Sequence, residues 1–399
     1  MQSALSHSRG VSQRMGRKTP SSKVERRHGP QDGSEVWSHD DPNLDFVQGW
    51  RGLHPPCGVQ EQGADPSGNR VFPIDVLFTD HKDPTTAVAD LQDRLQRLGY
   101  STGGDPNGSL GIGTTQAIRE FQLARGLRVD GLCGFQTWSA IVEAGYHLGD
   151  RYLYRKAPMF RGDDVADLQR RLNTLGFDAG RVDGIFGDHT AIALGDFQRN
   201  AGIVPDKILG PTTIAELLRM QPRQQEPELV ALVRDRERLR SESPTLSGKL
   251  IAIAEEGGLG AVIAATSRRL TQAGGRVLAL QDPSNSRSAA TANAANAHAY
   301  LGLRLDPNHD RCTSAFYSGY SYESPGGKRL AQLVQQNVAE AVGARDTGIH
   351  GMSLPVLRET RMPAVLCEIG PAEVVVERSA ELSASLTRAI QAWVITPCD

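Results

Sequence analysis

Apolar residues spaced three and four apart form two matching sets in the first half of the chain. Val88, Leu91, Leu95 and Leu98 share one helical face, and Val165, Leu168, Leu172 and Leu175 share another. A glycine, Gly99 or Gly176, follows each set and stops the helix. A second helix is predicted after a glycine-rich loop (107–111 in one copy, 183–187 in the other), with Phe121 or Phe197 turned inward. A third starts at Gly134 or at Gly210-Pro211, where proline suits the first turn because no helical donor is lost there. The span from Phe121 to Thr137 recurs 76 positions later, from Phe197 to Thr213, without a gap. The upstream halves match at an offset of 77, so one loop residue has been gained or lost. A repeat of this kind is a duplicated folded unit.

Beyond residue 248 the pattern changes. Short apolar runs at 250–254, 277–280, 300–305 and 365–369 alternate with helical periodicity: up to Arg269, at 289–299, at 328–342 and again to about Trp393. That alternation predicts an α/β domain with a mostly parallel sheet flanked by helices. The predicted layout is therefore multidomain. A polar segment at 1–80, with too few aliphatic residues to order itself, precedes two three-helix all-α modules at 81–147 and 155–221. A charged linker at 222–247 with one short helix leads into the α/β domain at 248–397.

Composition narrows the function. The net charge is -2, so no global basic field exists to hold nucleic acid. The five cysteines are scattered with no CxxC spacing, which fits a reducing compartment. The N-terminus has no apolar run of signal-peptide length, and no segment is apolar enough to span a membrane. The expected location is cytoplasmic, with export by a non-standard route as the alternative.

The pattern V..LQ..L..LG(Y/F)…DG.FG..T..A…FQ…G(L/I)..D…G..T resembles the three-helix peptidoglycan-binding module of bacterial wall hydrolases. Its apolar and glycine positions read as core, so ligand contact is expected from the polar loop residues Arg181, Asp183 and Asp206. Alanine at either aspartate is expected to weaken wall binding and leave thermal stability nearly unchanged. In the C-terminal half, RETRMPAVLCEIG at 358–370, AATANAANAHAYLGLRLD at 289–306 and KLIAIAEEGG at 249–258 resemble, in order and wording, the zinc-dependent N-acetylmuramoyl-L-alanine amidases of the Amidase_3 family. The resemblance places the family's catalytic carboxylate at Glu368.

The chain departs from that family where it matters most. The resemblance implies zinc ligands at a His after the first strand, a Glu on the next segment and a His at the end of the third strand. Glu256 stands near the first of these, the second has no clear occupant because Gly260 opens straight into a helix, and Arg304 stands at the third. Arginine has no lone pair to give a metal. His298, His309 and His350 do not fall at the vacated positions. Arg304 is expected either to pair with Glu368 or Glu256 or to remain in a decayed site, and it counts as a fourth candidate ligand contact. No cofactor is expected. The function expected is recognition of peptidoglycan fragments or a lipid-linked precursor by a non-catalytic regulator of wall synthesis or turnover, with a cell-wall synthesis enzyme as a further candidate partner. An active zinc amidase cleaving the muramoyl-L-alanine bond is the alternative.

Overall fold

The computed structural model describes residues 84–398, apart from 221–229 and the single positions 283, 308 and 321. The polar segment 1–80 and the first part of the linker lie outside the described residues.

Each repeat closes three helices around one small core. The first uses Pro84–Arg97, Ile112–Ala124 and Phe135–Ala144; the second uses Asp163–Thr174, Asp188–Asn200 and Pro211–Arg219. Phe121 and Phe197 are fully buried. Each meets an aromatic neighbour edge-on, Tyr100 at 5.6 Å and Phe177 at 5.7 Å, an arrangement the ring quadrupoles favour. Gly99 and Gly176 both turn the chain at φ near +90°, a conformation that suits glycine because it has no Cβ. Leu98 and Leu175 lie just past their helices and are half-buried, and Leu175 still packs against the core of its repeat.

The repeated glutamines explain why the loops hold their shape. Gln92, Gln122, Gln169 and Gln198 are all buried. The Gln169 amide nitrogen lies within hydrogen-bond reach of Asp183 Oδ1, Ile185 O and Thr190 Oγ1, at 2.9, 3.1 and 3.1 Å. Its oxygen accepts from the backbone N–H groups of Asp183 and Gly184. Gln198 does the same for the next loop, reaching Asp206 Oδ1, Ile208 O and Thr213 Oγ1 while accepting from Lys207 N. A primary amide offers donors and an acceptor at once, which neither a carboxylate nor a hydrocarbon can do.

The α/β domain is built on a seven-stranded mixed sheet in the order β2-β1-β3-β7-β4-β5, with β6 also paired to β4. The strands are β1 Leu250–Glu255, β2 Arg276–Gln281, β3 Ala299–Leu305, β4 Cys312–Gly319, β5 Tyr322–Glu323, β6 Asp346–Met352 and β7 Ala364–Ile369. β2, β1, β3 and β7 run parallel, and β4 runs antiparallel to β7. The central strands read as continuous apolar runs because both faces are covered. On one face lie the helices Gly260–Gln272, Pro325–Val342 and Ser379–Ile395, whose Val262, Leu330, Val334, Leu386 and Trp393 join Ile251, Leu301 and Val365 in one core. The other face is covered by Asn285–Ala294 and Pro355–Glu359. The second repeat extends that layer, since its Ala166 and Val182 pack in the same cluster as Tyr317, Tyr322 and Leu357. The linker carries the expected charged helix, at Val230–Ser241.

Replacing Gln198 by Leu keeps most of the volume but leaves Asp206 and the Lys207 N–H without their partner. We expect a loss of about 2–4 kcal/mol, read as a lower urea midpoint for the second repeat by circular dichroism. An unchanged midpoint would show that water satisfies the loop equally well.

Candidate functional site

The carboxyl ends of β3 and β7 bring the site together. They are parallel neighbours with Arg304 directly opposite Glu368, so the register alone sets their backbones side by side. Arg304 donates from Nη1 to Glu368 Oε1 at 2.9 Å. It also grips Glu256, just past the end of β1, through two parallel bonds of 2.7 and 2.6 Å. Both of the pairings considered for Arg304 thus form at once. Burial alone would lower its pKa, but the hydrogen-bonded Glu256 and the charge of Glu368 outweigh that, and the guanidinium is held more firmly charged than an exposed one.

Two more guanidinium groups reach the same carboxylate. Arg311 bonds Asp306 at 2.8 Å and approaches Glu368 Oε2 at 3.5 Å. Arg128 arrives from the first repeat and bonds Glu368 Oε1. Glu368 is left only 14% exposed. On the β1 side, Glu255 is buried and accepts from Leu259 N at 2.7 Å, just before the helix Gly260–Gln272.

Zinc of the kind the resemblance implies needs lone pairs converging on one point. Between Glu256 and Glu368 that point is filled by a guanidinium, which has none. His298 accepts from Leu250 N, His309 pairs with Asp306, and His350 bonds Thr347 O. Among the described residues no three His, Cys, Asp or Glu side chains are grouped to hold a metal ion. The residues present do not fit a zinc ion.

The four candidate contact residues do not form one surface. Asp183 Oδ1 accepts from Gln169 and from Ile185 N, and Asp206 Oδ1 from Gln198 and from Ile208 N. These carboxylates hold their own loops, so the expectation that alanine there leaves stability untouched is revised. Arg181 turns its guanidinium into the protein, donating to Thr360 O at 2.6 Å and stacking 4.5 Å from the Tyr317 ring and 5.3 Å from that of Tyr322. Its Nε and Nη2 are buried with no hydrogen-bond partner among the described residues. It is an interface residue, remote in role from a wall-facing loop.

Sequence reasoning passed over the residue that joins the parts, Arg358. It donates to Glu143 of the first repeat at 2.6 Å and to Asp183 O of the second at 2.6 Å, and it lies 5.6 Å from the Tyr320 ring of the α/β domain. Arg358 and Glu143 are 10% and 13% exposed. Burial works against the Arg358 charge, but the charge of the bonded Glu143 acts the other way, and the pKa of Arg358 is raised. Around this centre Arg161 pairs with Glu359, the Tyr317 hydroxyl donates to Val182 O, and Arg125 of the first repeat forms a two-pronged bridge to Asp163 of the second.

Residues 84–141 and 161–217 match the family profile for a peptidoglycan binding domain, and residues 261–391 match that for N-acetylmuramoyl-L-alanine amidase. The chain is 38% identical over 286 residues to the N-acetylmuramoyl-L-alanine amidase CwlM of Mycobacterium tuberculosis, covering 64% of this chain and 70% of that protein. The chain belongs to the CwlM family. It is also 33% identical over 153 residues to the N-acetylmuramoyl-L-alanine amidase CwlL of Bacillus licheniformis, covering 33% of this chain and 42% of that one. A solved N-acetylmuramoyl-L-alanine amidase from Clostridium difficile 630 aligns with 38% of this chain and 99% of its own at 19% identity and a TM-score of 0.32. For this member of the CwlM family, peptidoglycan is the partner that the two matched repeats support. Among its described residues no helix is long and apolar enough to cross a membrane.

Arg358→Met should leave Glu143 buried without its counter-charge and cost about 3–5 kcal/mol. Combining it with Glu143→Leu should recover part of that loss. Urea midpoints of the two single variants and the double variant decide the point; a double-variant loss equal to the sum of the two single losses would show that the pair is not coupled.

Proposed function

We propose that this protein recognises peptidoglycan fragments or a lipid-linked precursor and regulates wall synthesis or turnover without hydrolysing the muramoyl-L-alanine bond. The observation that carries this reading is the bidentate grip of Arg304 on Glu256 together with its bond to Glu368. Amide hydrolysis in the amidase manner needs a metal to polarise the carbonyl and acidify water, with a free carboxylate to take the proton. Here Glu368 accepts from Arg304 and Arg128, while Arg304 also holds Glu256. The three charges keep one another in place and preserve the outline of a pocket without its chemistry.

The regulatory reading places the protein in the cytoplasm, where lipid-linked precursors and the enzymes that make them are within reach. A cell-wall synthesis enzyme is then the natural receiver of the signal. A second reading, an active amidase, draws on the retention of a glutamate at the end of β7 and on the activity named for its relatives.

The full chain, supplied with zinc, should release no stem peptide from peptidoglycan. Arg304→His should not restore release, because Glu256 still stands at the first ligand position and the second still has no clear occupant. Binding of a soluble muropeptide should persist in Glu368→Ala. Stem-peptide release that stops with chelator and with Glu368→Ala would replace this reading with the active amidase.

A further inference from the structure

The two repeats carry the same loop after their second helix, yet the structure uses it in opposite ways. In the first repeat the Gly126 carbonyl accepts from Ser353 N of the α/β domain at 2.8 Å. A Cβ on Gly126 would come within 3.2 Å of that same nitrogen; a Cβ on Gly202, its counterpart, would meet nothing within 4 Å. Two residues on, Arg128 reaches Glu368, whereas Val204 at the matching place is 75% exposed. At the end of the third helix, Glu143 is bound to Arg358, while its counterpart Arg219 pairs with Glu216 of its own helix. Three equivalent positions therefore face the α/β domain in one copy and do not in the other.

We propose that the first repeat is an intramolecular cap, anchored at Ser353 through Gly126 and laid over Glu368 by the Arg128 side chain. The second repeat keeps the equivalent loop, 202–204, clear of Glu368. A ligand approaching Glu368 must then displace Arg128, and the two repeats are not interchangeable. This goes beyond the absence of catalysis, since a pocket refilled by Arg304 could have stayed open to solvent.

The matched glycines supply the test in the full chain, without any wall fragment. Gly126 and Gly202 sit at φ +63° and +71°, so a valine at either carries similar backbone strain, and only Gly126→Val crowds the Ser353 amide. Hydrogen exchange at the Ser353 amide should rise about tenfold or more in Gly126→Val and stay at the wild-type rate in Gly202→Val. Arg128→Glu, a change at a half-exposed side chain that leaves the repeat core intact, should raise the same exchange, and Val204→Glu should not. Equal effects in the two members of either pair would overturn the proposal, as would a Ser353 amide that exchanges like an exposed one in the wild-type chain. These readouts report the cap alone; the catalytic reading stands or falls on stem-peptide release.

Discussion

The Arg358 guanidinium is the point where three separately built parts become one body. A buried charge is costly unless paired and hydrogen-bonded, and Arg358 meets that demand with partners from both repeats: Glu143 from the first, the Asp183 and Gly184 carbonyls from the second. Because the partners lie on different units, satisfying the charge fixes how those units dock. The apolar contacts of Ala166 and Val182 with the tyrosine-rich strand then extend the second repeat's seat, and Arg128 falls within reach of Glu368. Two helical repeats and a sheet that could have moved independently thus share an interior.

That docking changes what an amidase-like pocket can be. In an open pocket a carboxylate at the end of a strand can take a proton from water. Here the same carboxylate is an acceptor shared among guanidinium groups from β3, from the segment entering β4 and from the first repeat. Arg304 is central because it is delocalised and planar, which lets it bond Glu256 through two edges and still reach Glu368. A lysine at 304 could not hold both glutamates in this geometry.

The repeats were fully legible in the sequence because their cores are local: Leu, Phe and Gly at helical spacing determine three helices without reference to the rest of the chain. The parallel strands were legible for a similar reason, as apolar runs covered on both faces. β4 and β6 were not. The first begins in a segment whose Ser and Tyr residues look like a loop, and the second, Asp346–Met352, is an edge strand with few apolar residues. Of the site, Glu368, Glu256 and Arg304 were readable as positions matching a family pattern. Arg128, Glu143 and Arg311 were not, since a charged residue on a helical repeat or in a loop before a strand has no sequence signature that tells solvent from a distant partner. Arg358 and Thr360 lay inside the quoted RETRMPAVLCEIG stretch, and only the fold shows that they face the repeats. Asp183 and Asp206 illustrate the converse: polar loop residues that looked free for a ligand are held by the buried glutamines beneath them.

The central claim is that a charge network occupies the place of a metal centre. Calorimetric titration of zinc into the chelator-treated full chain tests it most directly. The account predicts no saturable high-affinity binding, and no difference between the wild-type chain and Glu368→Ala. Tight uptake of about one zinc per chain would contradict it.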